Sequence, residues 1–233
     1  MKKVFKFIAV LLFITSCNQE VKEIQKYSIE TLMSNNRSSG GYFSKDANKL
    51  LYASDKSGVF NLYEVDLNSL EETQITNSVE ESYFAVGYSP LTNEIIYRAD
   101  KGGNENSHLY LIRDGESIDL TPGEKTKASF LGWTQDEKQM YFLSNARNPK
   151  YFDLYKTNMD DLSSKMIMEN NEGYSYYPLS NNDKYLVMVK RPSRDIDQMY
   201  LLNLESNEKI EISNQKSNFW GQGFDKNDEN YYY

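Results

Sequence analysis

The stretch Gly41–Thr76, GGYFSKDANKLLYASDKSGVFNLYEVDLNSLEETQIT, decides the fold of this chain. Short apolar runs alternate in it with Ser, Asp, Asn and Gly, a pattern typical of antiparallel strands joined by tight turns. Its turn Phe43-Ser44-Lys45-Asp46 recurs at steps of 45, 45, 46 and 45, counted on the second residue: Ser44, Ser89, Thr134, Ser180 and Asp225. A second marker steps by 47, 45 and 45: Leu62-Tyr63, Leu109-Tyr110, Leu154-Tyr155 and Met199-Tyr200.

A period near 45 residues in a strand-rich chain predicts a β-propeller, an all-β fold of four-stranded antiparallel blades. We expect a partial propeller over residues 41–233, with four complete blades at about 41–76, 82–121, 128–168 and 174–213 and the start of a fifth at 218–233. A strand left unpaired at the fifth blade would be a liability, so we expect the chain to be the N-terminal piece of a longer protein. Apolar faces are then expected to be exposed in two places: near Leu51 and Leu62, and near Phe224 and Tyr231–Tyr233.

Composition narrows the function classes. The net charge of −8 argues against a nucleic-acid partner, because phosphates require a basic surface. A single cysteine and a single histidine offer neither a disulfide nor a multi-histidine metal site, so we predict no metal and no cofactor. His108, in a loop rich in Gly and Asn, is interpreted as a surface histidine.

The first 17 residues have the pattern of a targeting segment. Lys2, Lys3 and Lys6 precede the apolar run Phe7–Ile14, which is too short to span a bilayer. Ile14-Thr15-Ser16-Cys17 resembles the lipobox of bacterial lipoproteins, which implies lipidation of Cys17 and a membrane anchor. The alternative is an ordinary secretory signal that contains a cysteine by chance. The lipobox predicts a cell-envelope protein, periplasmic or at the cell surface.

Residues 18–40 are predicted to be a polar linker that contains a short helix. The apolar residues Val21, Ile24, Ile29 and Leu32 are spaced as on one face of a helix.

The repeat itself resembles a known family. Phe43–Ser54 and Asn61–Asp66 are similar to the PD40 or TolB-type propeller repeat, with Ala47 where glycine is usual. The segments Tyr27–Met33, Ser38–Ser44 and Lys56–Tyr63 resemble the beginning of the propeller in the prolyl oligopeptidase (S9) family of serine peptidases.

This resemblance implies a propeller of seven or eight blades that caps an α/β-hydrolase domain in the same parent chain. The propeller would act as a docking surface and gate for peptide substrates, in a peptidase held at the membrane by its lipid anchor. The alternative is a non-enzymatic TolB-like lipoprotein that binds a protein of the cell envelope. Whether the parent protein is an enzyme stays open on the sequence alone.

No catalytic residue is predicted in these 233 residues. The G-x-S-x-G elbow of such peptidases does not occur, and Gly173-Tyr174-Ser175-Tyr176-Tyr177 lacks the second glycine and is interpreted as part of a blade. Glu80-Glu81 resembles the paired glutamates of dipeptidyl peptidases, but the aromatic residues around that motif are missing. We interpret it as a solvated charge pair in a connection between blades.

One candidate surface remains. In a four-stranded blade, the loops between the second and third strands emerge at one end, so Asp100–Ser107, Asn145–Tyr151 and Arg191–Asp197 are predicted to share a face. Arg147, Arg191 and Arg194 would make it an interaction face for a second domain or a peptide. The alternative is that these are variable loops in solvent.

Overall fold

The computed structural model describes residues 26–213 and 223–233, and it divides the chain into two units, residues 1–35 and 36–233. In the described part of the first unit, a short helix, α1, runs over Ile29–Met33. Ser28 caps it, because its side-chain oxygen accepts a hydrogen bond from the Thr31 backbone N–H at 3.1 Å. The predicted helix face is thus present at Ile29 and Leu32, whereas Val21, Ile24 and the lipobox lie outside the described residues. No helix in the described ranges has the length and hydrophobicity needed to cross a bilayer.

The second unit consists of strands. In chain order they are β1 Ser38–Phe43, β2 Lys49–Ser54, β3 Asn61–Asp66, β4 Glu72–Gln74, β5 Tyr83–Tyr88, β6 Ile95–Ala99, β7 His108–Arg113, β8 Glu116–Asp119, β9 Ala128–Trp133, β10 Gln139–Ser144, β11 Asp153–Asn158, β12 Ser164–Met168, β13 Ser175–Leu179, β14 Tyr185–Ser193, β15 Ile196–Asn203, β16 Lys209–Glu211, β17 Gly223–Phe224 and β18 Tyr231–Tyr232.

These strands form four antiparallel sheets of four strands each and one sheet of two strands. Each larger sheet joins consecutive strands in order, and we name them blade 1 (β1–β4), blade 2 (β5–β8), blade 3 (β9–β12) and blade 4 (β13–β16). The pair β17–β18 starts a further sheet. The all-β propeller fold predicted from the period is confirmed.

The predicted linker is shorter than expected. β1 begins at Ser38, because Ser38 and Ser39 already pair with Ser54 and Ala53 of β2. A bulge between Ser39 and Tyr42 separates this pairing from the rest of the strand. The bulge contains Gly40 and Gly41, with φ of +83° and +145°. Because glycines are typical of loops, the sequence did not indicate that this segment pairs as a strand.

The two faces of a blade bury different residues. Leu51 and Leu62 of blade 1 are 0% exposed and pack in one cluster with Ala85, Ile95 and Tyr97 of blade 2. The prediction that Leu51 and Leu62 lie on an exposed face was therefore wrong. Side chains alternate along a strand, so their neighbours Tyr52 and Tyr63 lie on the opposite face of blade 1.

The recurring turn has a defined hydrogen-bond pattern. The Ser44 hydroxyl donates to Asp46 at 2.6 Å and accepts from the Lys49 backbone N–H at 3.0 Å. Thr134 and Ser180 repeat this arrangement in blades 3 and 4. Each copy of the turn contains one residue in the left-handed conformation, and this residue is not a glycine. It is Ala47 (φ +56°) in the first copy, and the equivalent residues are Asn93, Glu137, Asp183 and Asp228.

Candidate functional site

Arg147, in the loop between β10 and β11, is a structural anchor. Its guanidinium donates two hydrogen bonds, at 2.7 and 2.8 Å, to Asp153, whose side chain is 0% exposed. It also donates to the Asn170 carbonyl at 3.1 Å and pairs with Glu169 at 2.9 Å. The hydrogen bond to Asp153 raises the pKa of Arg147 above its usual value. The donors that would bind an outside partner are therefore largely engaged within blade 3.

The other two arginines lie on a hairpin. β14 continues to Ser193 and β15 begins at Ile196, so the segment predicted as the loop Arg191–Asp197 is mostly strand. The last three residues of β14 are all exposed, so no alternation of apolar and polar residues marked this part of the strand in the sequence. Arg191 forms an ion pair with the buried Asp197. Arg194 is exposed at the turn, and no ion pair links the three arginines to one another within the described ranges. Their role as an interaction face stays a prediction.

Two other singled-out residues have clear positions. Ser175 is the first residue of β13, so the Gly173–Tyr177 segment is an inner strand of a blade, as interpreted. The interpretation of His108 as a surface residue was wrong, since its side chain is only 14% exposed. Its two ring nitrogens face Asp119 at 2.7 Å and the Gly123 carbonyl at 2.9 Å.

One pocket lies against the inner strands β1, β5 and β9, and we call it the inner-strand pocket. It has a volume of about 410 Å³. Phe43 on its wall is 62% exposed, and Phe130 and Trp133 have ring centroids 5.8 Å apart. Its lining is mainly apolar: Gly41, Tyr42, Phe43, Val86, Gly87, Tyr88, Ile96, Phe130, Gly132 and Trp133.

Gly87 lies on the wall of the inner-strand pocket. Its φ is +148°, and a Cβ there would meet the Tyr42 ring at 3.6 Å. A side chain at this position would also be strained by the backbone conformation. The backbone conformation, and not the ordinary contact with Tyr42, is therefore what favours glycine at position 87.

The second pocket lies between blades 1 and 2, and we call it the interblade pocket. It has a volume of about 630 Å³. Its wall is a run of tyrosine rings: Tyr97 stacks on Tyr110 at 5.0 Å between centroids, and Tyr83 lies 5.1 Å from Tyr97. Glu81, Asp100 and Lys101 line it as well.

Burial shapes the acidity of this tyrosine wall. It raises the pKa of the Tyr97 hydroxyl, and burial with nearby Asp119 raises the pKa of Tyr110 to about 12. These rings are therefore neutral at physiological pH and present electron-rich faces to the pocket.

Neither pocket has an arrangement that indicates a metal. The described residues contain no group of three or more His, Cys, Asp and Glu side chains placed to hold an ion. The arrangement can bind apolar and aromatic groups at the inner strands, and polar or charged groups between blades 1 and 2.

Comparisons with known proteins agree with this architecture. Residues 92–196 match the family described as the dipeptidyl peptidase IV (DPP IV) N-terminal region. Dipeptidyl aminopeptidase BIII of Pseudoxanthomonas mexicana is 26% identical over 173 residues, which is 71% of this chain and 24% of that protein. The chain therefore spans about a quarter of the length of the curated relative it matches.

Solved propeller structures share this fold. Dipeptidyl peptidase 4 of Porphyromonas gingivalis has a TM-score of 0.58 at 12% identity, over 81% of this chain and 27% of that chain. TolB of Acinetobacter baumannii has a TM-score of 0.55 at 19% identity, over 76% of this chain and 44% of that chain.

The fold defines the class of protein, which is a β-propeller with TolB-like blades. The resemblance to the S9 peptidases seen in the repeat is confirmed by the match of residues 92–196 and by the similarity to a dipeptidyl aminopeptidase.

Sequence reasoning missed both pockets. The inner-strand pocket had a signal, since Gly41, Gly87 and Gly132 each precede an aromatic residue just before the recurring turn. For the interblade pocket, the sequence contained only a weak signal. Glu81, interpreted as a solvated charge, lines this pocket, whereas Glu80 is exposed.

Proposed function

We propose that these blades are the substrate-docking and gating portion of a serine peptidase of the S9 type. The catalytic α/β-hydrolase domain would lie outside the 233 residues of this chain. The observation that carries the proposal is the match of residues 92–196 to the N-terminal region of DPP IV. The matched range runs from the turn before β6 in blade 2 to the first residue of β15 in blade 4. The similarity to a dipeptidyl aminopeptidase extends the same argument over 71% of the chain.

The inner-strand pocket supports a docking role. The inner strands of propeller blades surround the central axis, so a peptide passing along that axis would meet Phe43, Phe130 and Trp133. Aromatic side chains offer a large apolar surface that can contact peptides of different sequences. Folded or bulky proteins would be excluded by the blades, while extended peptides would make contact with the aromatic wall.

This docking role can be tested on the product of the complete gene. Trp133→Ala should lower kcat/KM for a ten-residue peptide about fivefold to thirtyfold, because an aromatic contact is worth roughly 1–2 kcal/mol. Hydrolysis of a dipeptide p-nitroanilide should be nearly unchanged, since it does not need the wall. Leu91→Ala is the matched control, because Leu91 is exposed in a turn away from the pocket lining.

Two results would count against this function. Equal losses on the short and long substrates would remove the docking role while leaving the peptidase. A gene product that completes the propeller without any hydrolase domain would instead favour a non-enzymatic, TolB-like binding lipoprotein.

We further propose that Cys17 is lipidated and anchors the protein at the cell envelope. Cys17 lies outside the described residues, so the support is the lipobox Ile14–Cys17 and the basic, then apolar, leader before it. Cys17→Ser should release the protein into the soluble fraction and abolish metabolic labelling with palmitate. Ser16→Ala is the control, because it keeps a small residue at that position. Unchanged membrane retention of Cys17→Ser would contradict the anchor.

A further inference from the structure

In blade 1 a pair of tyrosine rings holds a cation that the chain itself supplies. Tyr52 and Tyr63 face each other across β2 and β3 and stack at 5.6 Å. The Lys56 ammonium lies 3.9 Å from the Tyr63 ring centroid and 5.6 Å from that of Tyr52. Glu72, on β4, pairs with this ammonium and accepts a hydrogen bond from the Tyr52 hydroxyl. Ring faces and carboxylate together stabilise the positive charge.

Blade 4 contains a second cation of this kind. The Lys209 ammonium lies 4.7 Å from the ring centroid of Tyr174 and 5.1 Å from that of Tyr200. Glu172 lies 3.5 Å from the same ammonium. Tyr200 follows Met199 as Tyr63 follows Leu62 in the repeat. Tyrosine rings on this face of a blade thus bind an ammonium in two blades.

Blade 2 has the rings without the cation. Tyr97 and Tyr110 face each other across β6 and β7, in the same register as the tyrosine pair of blade 1. Ser117 is paired with the residue two after Tyr110, as Glu72 is paired with the residue two after Tyr63. The Tyr97 hydroxyl shares a hydrogen bond with Ser117. Arg98 lies over the Phe84 ring, but within residues 26–213 and 223–233 no lysine or arginine lies over Tyr97 or Tyr110.

Space and negative charge are present where the cation would sit. The interblade pocket, of about 630 Å³, is bounded by these rings and by the carboxylates of Glu81 and Asp100. Asp100 accepts a hydrogen bond from the Glu105 backbone at 2.7 Å. Glu81 is half-buried and forms no ion pair or hydrogen bond to another described side chain. Lys101, four residues after Tyr97 as Lys56 is after Tyr52, is exposed at the rim and does not cover the rings.

We propose that the interblade pocket binds an organic cation from outside the chain, an ammonium or guanidinium group, over Tyr97 and Tyr110 and beside Glu81. The outside cation would occupy the place that Lys56 fills in blade 1. The same chemistry could come from a free amine or from a basic side chain of a peptide. This binding does not depend on the proposed peptidase function.

Isothermal titration of the full chain tests the proposal. The free-amine probes are butylammonium and agmatine, with butanol as the uncharged control. The peptide probe is an N-acetylated, C-amidated tripeptide with a central lysine, and norleucine replaces the lysine in its control. Saturable binding of the charged probes alone is expected. The tighter of the two charged classes identifies the source.

Two matched pairs of variants locate the site. Glu81→Gln should weaken binding about fivefold, whereas Glu80→Gln, at the exposed neighbour, should not change it. Tyr110→Leu should weaken binding about tenfold, whereas Tyr110→Phe keeps the ring face and should bind normally. Circular dichroism and thermal melting confirm that each variant is folded.

The proposal is overturned by any of three results. These are no saturable binding at millimolar concentration, equal binding of the uncharged controls, and equal effects of Glu81→Gln and Glu80→Gln. The glutamate pair keeps the test decisive if Tyr110→Leu does not fold, because neither glutamate belongs to the core.

Discussion

At the scale of single residues, Ala47 shows how the repeat tolerates a departure from its pattern. Its φ of +56° is a left-handed conformation that costs an L-residue about 1–2 kcal/mol. Glycine removes this strain but adds about 0.4–1 kcal/mol of unfolded-state entropy. Ala47→Gly should therefore raise the free energy of unfolding by about 0.5 kcal/mol, measured as a higher denaturant midpoint. Ala53→Gly, in the middle of β2, should lower it. A lower midpoint for Ala47→Gly would show that the turn is not strained.

The Arg147–Asp153 pair is the residue-scale contact with the largest expected effect on stability. Asp153 is fully buried and also accepts a hydrogen bond from the Asn170 backbone at 2.7 Å. Asp153→Ala should lower the free energy of unfolding by about 2 kcal/mol, discounted because Arg147 keeps some access to solvent.

Glu205→Ala is the matched control for this pair. Glu205 meets Lys184 at 3.6 Å with both side chains exposed, so its loss should cost less than about 0.5 kcal/mol. If the two variants lose equal stability, Arg147 is not the anchor of its loop.

At the scale of elements, the contact between blades 3 and 4 should respond to alkaline pH. Burial, with Asp183 nearby, raises the pKa of Tyr141 to about 12. The folded chain then holds this proton more tightly than the unfolded chain, in which tyrosine has a pKa of about 10. Stability is complete below pH 10 and is lost as pH rises toward 12.

Unfolding measured at pH 9 and at pH 11 tests this linkage. Between these two pH values, Tyr141→Phe should lose about 1 kcal/mol less stability than the unaltered chain. Tyr232→Phe, at a ring that is 57% exposed, should leave the loss as it is in the unaltered chain. An identical pH dependence for Tyr141→Phe would contradict the linkage.

The sequence predicts the elements better than it predicts the sites. Ser44, Thr134 and Ser180 recur because each makes the same hydrogen bonds in its turn. A structural requirement that recurs from blade to blade therefore appears as a repeat in the sequence. The interblade pocket, in contrast, depends on one outer-strand residue beside the tyrosine pair. This residue is Glu72 in blade 1 and Ser117 in blade 2. That comparison requires the register of four short strands, which hydrophobic alternation does not determine when outer strands have only three or four residues.

At the scale of the whole molecule, the correction at Leu51 and Leu62 changes which surfaces can associate. The face of blade 1 away from blade 2 carries Tyr52 and Tyr63, covered in part by Lys56 and Glu72. A face covered by an ion pair is less prone to aggregate than bare leucine. At the other end of the described blades, Tyr232 and Tyr233 are 57% and 50% exposed.

The central claim is that these blades serve a serine peptidase of the S9 type, and labelling of the active serine tests it most directly. The product of the complete gene is treated with a fluorophosphonate probe, and the modified peptide is located by mass spectrometry. The account predicts one adduct, on a serine that lies outside residues 1–233 within a G-x-S-x-G sequence. A complete gene product that takes up no probe while remaining folded, or an adduct on a serine within the blades, would contradict it.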